Sequence, residues 1–293
     1  MRLGALAALL TILPAALRAQ DQVARARDLL RRGQLDSAYA LIQRAVEAEP
    51  ARAEAHYGLG EIAGAKAGAD GGLGALGTAR RGKAGYARAV ELEPNNVQYL
   101  SGLAGFLAQA PGIVGGDRDS ALVLAERVRR LDPARGTFML ASMLRRGDAR
   151  EQTRADSIVE SYERSRAGER AVQMRAAGYW AQTDRPERAL VIYERLLARD
   201  SSDALVRYGV ARNLVVLQRE PRRAQGHLRW VVAHPPTGEA AANFNLAGLW
   251  WRLGQTWVQL GQPDSARAAY QRALGISPQF RQARQSLDSL GAR

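Results

Sequence analysis

Between residues 20 and 280 one arrangement of small, apolar and polar positions recurs. A small residue is followed four positions later by an apolar one, three later by another, and about five later by Pro. Ala38-Ile42-Ala45-Pro50, Gly82-Tyr86-Ala89-Pro94 and Ala121-Ala125-Val128-Pro133 carry it. So do Ala224-Leu228-Val231-Pro236 and Ala266-Tyr270-Ala273-Pro278, while Ala189-Tyr193-Leu196 lacks the Pro and Ala155-Val159-Tyr162 is a weaker member. Steps of three and four place these residues on one face of a helix, and Pro cannot continue one. The anchors at 38, 82, 121, 155, 189, 224 and 266 lie 44, 39, 34, 34, 35 and 42 residues apart. A unit of about 34 residues with insertions accounts for the series, and a fixed period of that size marks a stacked repeat architecture.

Each period has room for two antiparallel helices, neither of which can bury its apolar face alone. The small residue on the second helix lets the first approach closely, and the residue four positions on fills space against a neighbour. Strong β-formers gather into no alternating run, so the expected fold is all-α. Three insertions interrupt the period, near 63–77, 109–117 and 237–246. The first follows a helical stretch from Ala53 to Lys66, and its Gly-rich part, 71–77, is expected to be a loop between helices. The second joins the two helices of the third unit, and the third is expected to lengthen the helix that holds Trp250. A polar helix over 280–290 is expected to close the array.

The last unit is the most regular. Trp250-x-x-Leu253-Gly254-x-x-Trp257, followed by Ala266, Tyr270, Ala273 and Pro278, resembles the tetratricopeptide repeat family. First helices elsewhere are degenerate, as at Leu59-Gly60, Ala176-Ala177-Trp180 and Val210-Ala211-Leu214. The resemblance covers about residues 20–280 and implies an α-solenoid of about seven helix pairs coiled into a right-handed superhelix. Gln109 to Asp117, with Ala121-x-x-x-Ala125 and Leu131-Asp132-Pro133, is similar to a subgroup of exported bacterial repeat proteins. That likeness implies fold and location and does not narrow the function.

The N-terminus is read as a secretory signal peptide. Met1-Arg2 is followed by the largely apolar Leu3 to Leu17, then by small residues and the polar Gln20-Asp21-Gln22. Cleavage is expected after Ala19, which leaves 20–293 as the repeat domain in the periplasm or medium. With no cysteine, the chain has neither a disulfide framework nor a lipid-modified N-terminal Cys.

Charge changes the picture less than its size suggests. The net charge is +13, but of 42 basic residues only Lys66 and Lys83 are lysine, and the arginines are dispersed. Dispersed arginine reads as solvated helix faces with acidic neighbours. Peripheral attraction to anionic envelope surfaces is expected, and nucleic-acid binding is not.

Candidate chemistry is thin. Gly72-Leu-Gly74-Ala-Leu-Gly77 matches G-x-G-x-x-G, but it follows a helical stretch and not a strand, so a nucleotide site is not expected. Asp117-Arg118-Asp119-Ser120 reads as an N-cap for the Ala121 helix and not as a cation loop. The three histidines, His56, His227 and His234, lack the company of metal ligands. No metal, cofactor or catalytic group is expected, and the chain is read as a non-enzymatic scaffold. The rival reading is an accessory component that handles a small molecule or polysaccharide in envelope transport. A pocket closed by the first two insertions would favour the rival, and an open continuous groove the scaffold.

The resemblance also implies where a protein or peptide partner would lie. In that family the second, fifth, ninth, twelfth and thirteenth positions of each first helix face a concave groove. Counted from Ala204 these are Leu205, Tyr208, Arg212, Val215 and Val216. Counted from Ala247 they are Gly248, Trp251, Gln255, Val258 and Gln259. Tyr208, Arg212, Trp251, Gln255 and Gln259 are the candidate partner-binding residues, with Trp250 as the structural tryptophan beside them. The Lys and Asn pairs with which some members hold a partner's C-terminal carboxylate are absent from these positions.

Overall fold

A computed structural model of the chain describes residues 22–72, 74–242 and 244–291. The expected signal peptide therefore lies outside the described residues. Every regular element among those residues is helical. The chain divides into two compact units, one ending at Val159 and the other starting at Glu160.

The first unit contains α1 (22–31) and α2 (Leu35–Ala48), then the long pair α3 (Ala53–Asp70) and α4 (Gly74–Leu92). It continues with α5 (Val97–Gln109), a 3-10 turn at Gly112–Val114, α6 (Arg118–Leu131), α7 (Pro133–Leu144) and the first part of α8 (Ala149–Ser165). The second unit takes the rest of α8, then α9 (Arg170–Gln182), α10 (Pro186–Arg199), α11 (Ala204–Val216) and α12 (Pro221–Ala233). A short turn α13 (Glu239–Ala242) precedes α14 (Leu246–Gln259), α15 (Pro263–Ile276) and α16 (Arg281–Gly291). Packing is mainly between consecutive helices, as α3 with α4, α5 with α6 and α14 with α15, so each unit is a run of stacked helical hairpins of α-solenoid type.

The repeat pattern explains the core. All seven small anchor residues, Ala38, Gly82, Ala121, Ala155, Ala189, Ala224 and Ala266, are buried. At the next apolar position Ile42, Val159, Tyr193, Leu228 and Tyr270 are also buried. Each large side chain so buried contributes roughly 1.5–3 kcal/mol. Close approach needs the small residues: a Cβ on Gly60 would come within 2.6 Å of the Tyr86 ring, and one on Gly254 within 2.3 Å of Tyr270. Helix starts are fixed by capping. Asn96, Asp117, Asp132, Asp203 and Asn245 each accept a hydrogen bond from a backbone N–H of the first turn. Asp117 thus has the capping role read from the sequence.

Two insertions differ from expectation. The stretch 71–77 is a loop only at its start, because α3 runs on to Asp70 and α4 begins at Gly74, leaving a turn at Gly71 and Gly72 with φ of 62° and 63°. The segment is rich in alanine as well as glycine, and each lengthened helix has the other to pack on. Ala75 is buried, and Gly82 lies against Ala63 and Gly64. Lys66 adds an ion pair to Asp70 one turn on, at 2.9 Å. The insertion at 237–246 does not lengthen the Trp250 helix either. Gly238 has φ of 60°, α13 is a separate turn, and the Asn245 side chain accepts from Gly248 N–H, which starts α14 at Leu246.

Candidate partner-binding site

Successive first helices α11 and α14 lie against each other in the second unit. Gln259 Nε2 donates to the Val215 carbonyl at 3.2 Å and ties the end of one helix to the end of the other. This brings the predicted residues of the two helices onto neighbouring elements. Tyr208 is half-buried, edge-on to Phe244 at 5.2 Å between ring centroids. Burial pushes the Tyr208 hydroxyl pKa up, and Arg252 and then Arg212 pull it back. Gln255 Oε1 accepts from Arg252 Nη1 at 3.1 Å.

Trp251 is half-buried and shares its surface with the last helix. Its Nε1 donates to Ser286 Oγ at 2.9 Å, and its ring meets Phe280 edge-on at 5.7 Å. Trp250 is also half-buried. It lines a cleft with Trp257, Arg229 and Arg272, and Arg272 stands 5.8 Å above its ring. Of the other groove positions, Val216 and Val258 are exposed, whereas Val215 and Gly248 are buried and offer a partner no surface. Gly248 is covered by the Asn245 side chain that caps its own helix.

Arg252 is the residue missing from the predicted set. Its guanidinium lies 4.4 Å from the centre of the Trp251 ring. Burial holds its pKa below the usual arginine value, Tyr208 opposes that shift, and Arg212 adds to it. A signal was available in the sequence. Positions 248, 249, 255 and 256 hold Gly, Leu, Gln and Thr, so no acidic residue stands one turn away. The same is true of Arg212, flanked by Tyr208, Gly209, Val215 and Val216.

The remaining candidates have structural roles. His56 Nε2 lies 2.9 Å from the Pro50 carbonyl, His234 stacks on Trp230 at 4.4 Å, and His227 Nδ1 lies 3.2 Å from Arg207 Nη1. Among the described residues no group of three or more His, Asp or Glu is placed to hold a metal ion. No described helix is long and apolar enough to cross a membrane.

The first unit carries a separate feature. An open cleft of ≈ 670 Å³ is lined by both of the first two insertions, including Gly64, Gly68, Gly72, Phe106, Ala110 and Pro111. Its walls are mostly glycine and alanine, with Tyr86 and Phe106 as aromatic surfaces 6.2 Å apart.

Hairpins stacked in sequence, each closed on a small residue, define a helical repeat protein. The tetratricopeptide repeat family profile matches residues 247–280, and a second profile of that description matches 23–69. These two stretches are thus tetratricopeptide repeats, and the helical hairpins between them share the fold. Solved structures agree on the fold. A tetratricopeptide repeat protein from Parabacteroides merdae is 13% identical, with a TM-score of 0.58 over 93% of this chain and 98% of that one. Yeast Tom70 is 15% identical, with a TM-score of 0.58 over 87% of this chain and 49% of its own. The Cut9–Hcn1 hetero-tetramer of the APC/C gives 13% identity and a TM-score of 0.52, over 90% of this chain and 48% of that chain. A sequence comparison with curated proteins finds no match. Repeats of this family support a protein–protein interaction scaffold in general terms.

Proposed function

We propose that the protein is a non-catalytic scaffold of the bacterial cell envelope that holds a protein or peptide partner against α11 and α14. Tyr208, Arg212, Trp251, Gln255 and Gln259 form the contact wall. One observation supports this reading: α11, which carries an aromatic and an arginine, packs on α14, which carries an aromatic and two glutamines. Aromatic residues and arginine dominate interface energetics. The export half rests on the N-terminal pattern Met1 to Gln22, and predicts a mature chain starting at Gln20 by mass spectrometry of the envelope fraction.

The test is site-specific photo-crosslinking in the native envelope. A photoreactive residue at Gln255 should trap a defined partner, and one at the exposed Arg267 on α15 should not. Arg212→Ala should weaken capture about 30-fold, a loss of roughly 2 kcal/mol. Equal crosslinking from both positions, or none from Gln255, overturns the placement.

The cleft of the first unit favours a second reading, a ligand-handling component, because both Gly-rich insertions line it. Its size lies in the range of small-molecule sites. Stabilisation by a soluble oligosaccharide or small metabolite, abolished by Gly68→Leu, would support that reading over the scaffold.

A further inference from the structure

Several arginines of the second unit are compensated by a carboxylate. Arg170 pairs with Asp203, Arg188 with Glu160 at 3.3 Å, Arg195 with Glu163 at 2.9 Å and Arg223 with Glu194 at 2.6 Å. Most of the others, such as Arg175, Arg229 and Arg267, are exposed, whereas Arg212 and Arg252 are half-buried. Among the described residues neither has a carboxylate within ion-pair distance. Yet they lie within electrostatic reach of each other, on helices that pack together. Arg252 lies over the Trp251 ring and is bonded to a neutral amide, Gln255.

Two half-buried like charges on packed helices are unfavourable unless an anion joins them. No neighbour supplies one. The phenols Tyr193 and Tyr208 beside the pair are neutral at physiological pH, and burial raises both pKa values further. A guanidinium has five N–H donors in a planar fork that fits a carboxylate in two places. Arg252 spends one donation on Gln255, and the Arg212 side chain makes no hydrogen bond among the described residues. The Trp251 and Tyr208 rings beside them offer apolar surface for the chain that carries the anion.

We propose that Arg212 and Arg252 form a two-arginine clamp for the side-chain carboxylates of an acidic peptide segment in the partner. The clamp rests on the binding wall proposed above and assigns its chemistry. A peptide is favoured over a lipid surface because the two arginines are flanked by aromatic side chains and a glutamine on two packed helices. A headgroup-binding face would instead need a run of exposed basic residues.

The test uses the full chain and a fluorescent peptide of alternating Glu and Leu with an amidated C-terminus, read by anisotropy. The Gln-for-Glu version of that peptide should bind roughly tenfold or more weakly, and so should the Glu peptide to Arg212→Gln or Arg252→Gln. Binding should weaken as salt rises, while Arg267→Gln leaves it unchanged. Arg212→Glu gives a reading without any ligand. It supplies the missing carboxylate to Arg252, so it should raise the melting temperature and abolish peptide binding together. The clamp is overturned if the Gln peptide binds as well as the Glu peptide, if Arg212→Glu lowers the melting temperature, or if only phosphatidylglycerol vesicles bind in an arginine-dependent way. The two proposals fail separately. A partner crosslinked through Gln255 but indifferent to Arg212→Gln and Arg252→Gln leaves the wall standing without the clamp. A partner crosslinked nowhere on α11 or α14 removes both.

Discussion

His227 shows how one side chain in this fold acquires a condition-dependent role without any chemistry. Arg207 Nη1, which can only donate, lies 3.2 Å from His227 Nδ1, so Nδ1 is the acceptor and the ring proton sits on Nε2. Nε2 itself is buried with no partner. Burial first, then Arg207 and Arg223, hold the pKa below the ordinary 6.5. The unfolded chain therefore takes up a proton near pH 6.5 that the folded one resists. Stability from this source is complete above pH 6.5 and falls as pH drops from there through the lower folded pKa. The lowered pKa values of Asp117 and Asp200 act only near and below 3.8, so they do not enter that window. Denaturant midpoints should fall between pH 7.5 and pH 5.5 in the wild type. In His227→Gln the fall should be markedly smaller, and an undiminished pH slope in that variant would exclude His227 as its source.

At the scale of helices, the same residue type has opposite effects along α3. A Cβ on Gly60 would meet the Tyr86 ring, and Gly60→Ala should cost roughly 1–3 kcal/mol by overpacking. A Cβ on Gly64 or Gly68 meets nothing within 4 Å. Gly64→Ala and Gly68→Ala should each stabilise by about 0.5–1 kcal/mol, because Ala loses less conformational freedom in a helix. Urea melts of the three variants decide this, and a destabilising Gly68→Ala would mean that something packs on that face of α3. The contrast also shows what the sequence could and could not disclose. Ala38, Ala155 and Ala266 were legible as core because a period of three and four survives in each second helix. The helical state of 74–77 was not, since glycine weakens a local helix signal and only the packing of α3 on α4 restores it. In the candidate site, the positions of Tyr208, Arg212, Gln255 and Gln259 on adjacent helices followed from the repeat register. The cover over Trp251 did not, because Phe280 and Ser286 belong to a closing segment without the repeat spacing. Arg252 was passed over because the groove positions of the family omit it, although the lack of an acidic residue one turn away was visible.

At the scale of the whole chain, the dispersed arginines become intelligible. Arg118 reaches Glu151, Arg195 reaches Glu163, and Arg170 reaches Asp203, each across 32 or 33 residues, close to one repeat. The pairs join corresponding places in successive hairpins, so charge follows the same period as the core. Exposed pairs of this kind contribute little individually, with a median of roughly 0–1 kcal/mol, which leaves apolar contacts between neighbouring hairpins as the main coupling. Ala266 is a clean place to probe that coupling. It is fully buried on α15, which packs on α14 before it and α16 after it. Ala266→Leu adds volume where two helices already touch and should destabilise by roughly 1–3 kcal/mol. In a nearest-neighbour array the loss should concentrate in α14, α15 and α16. Hydrogen exchange should therefore speed up in those helices, and in α12 to a lesser degree because it packs on α14, while α3 and α4 keep their wild-type rates. The Trp251–Ser286 hydrogen bond between α14 and α16 gives a second readout, since its loss would raise exchange at the closing helix first. Exchange that rises equally from α2 through α16 would instead mean that the chain unfolds as one cooperative body, and the repeat description would then hold for its geometry but not for its energetics.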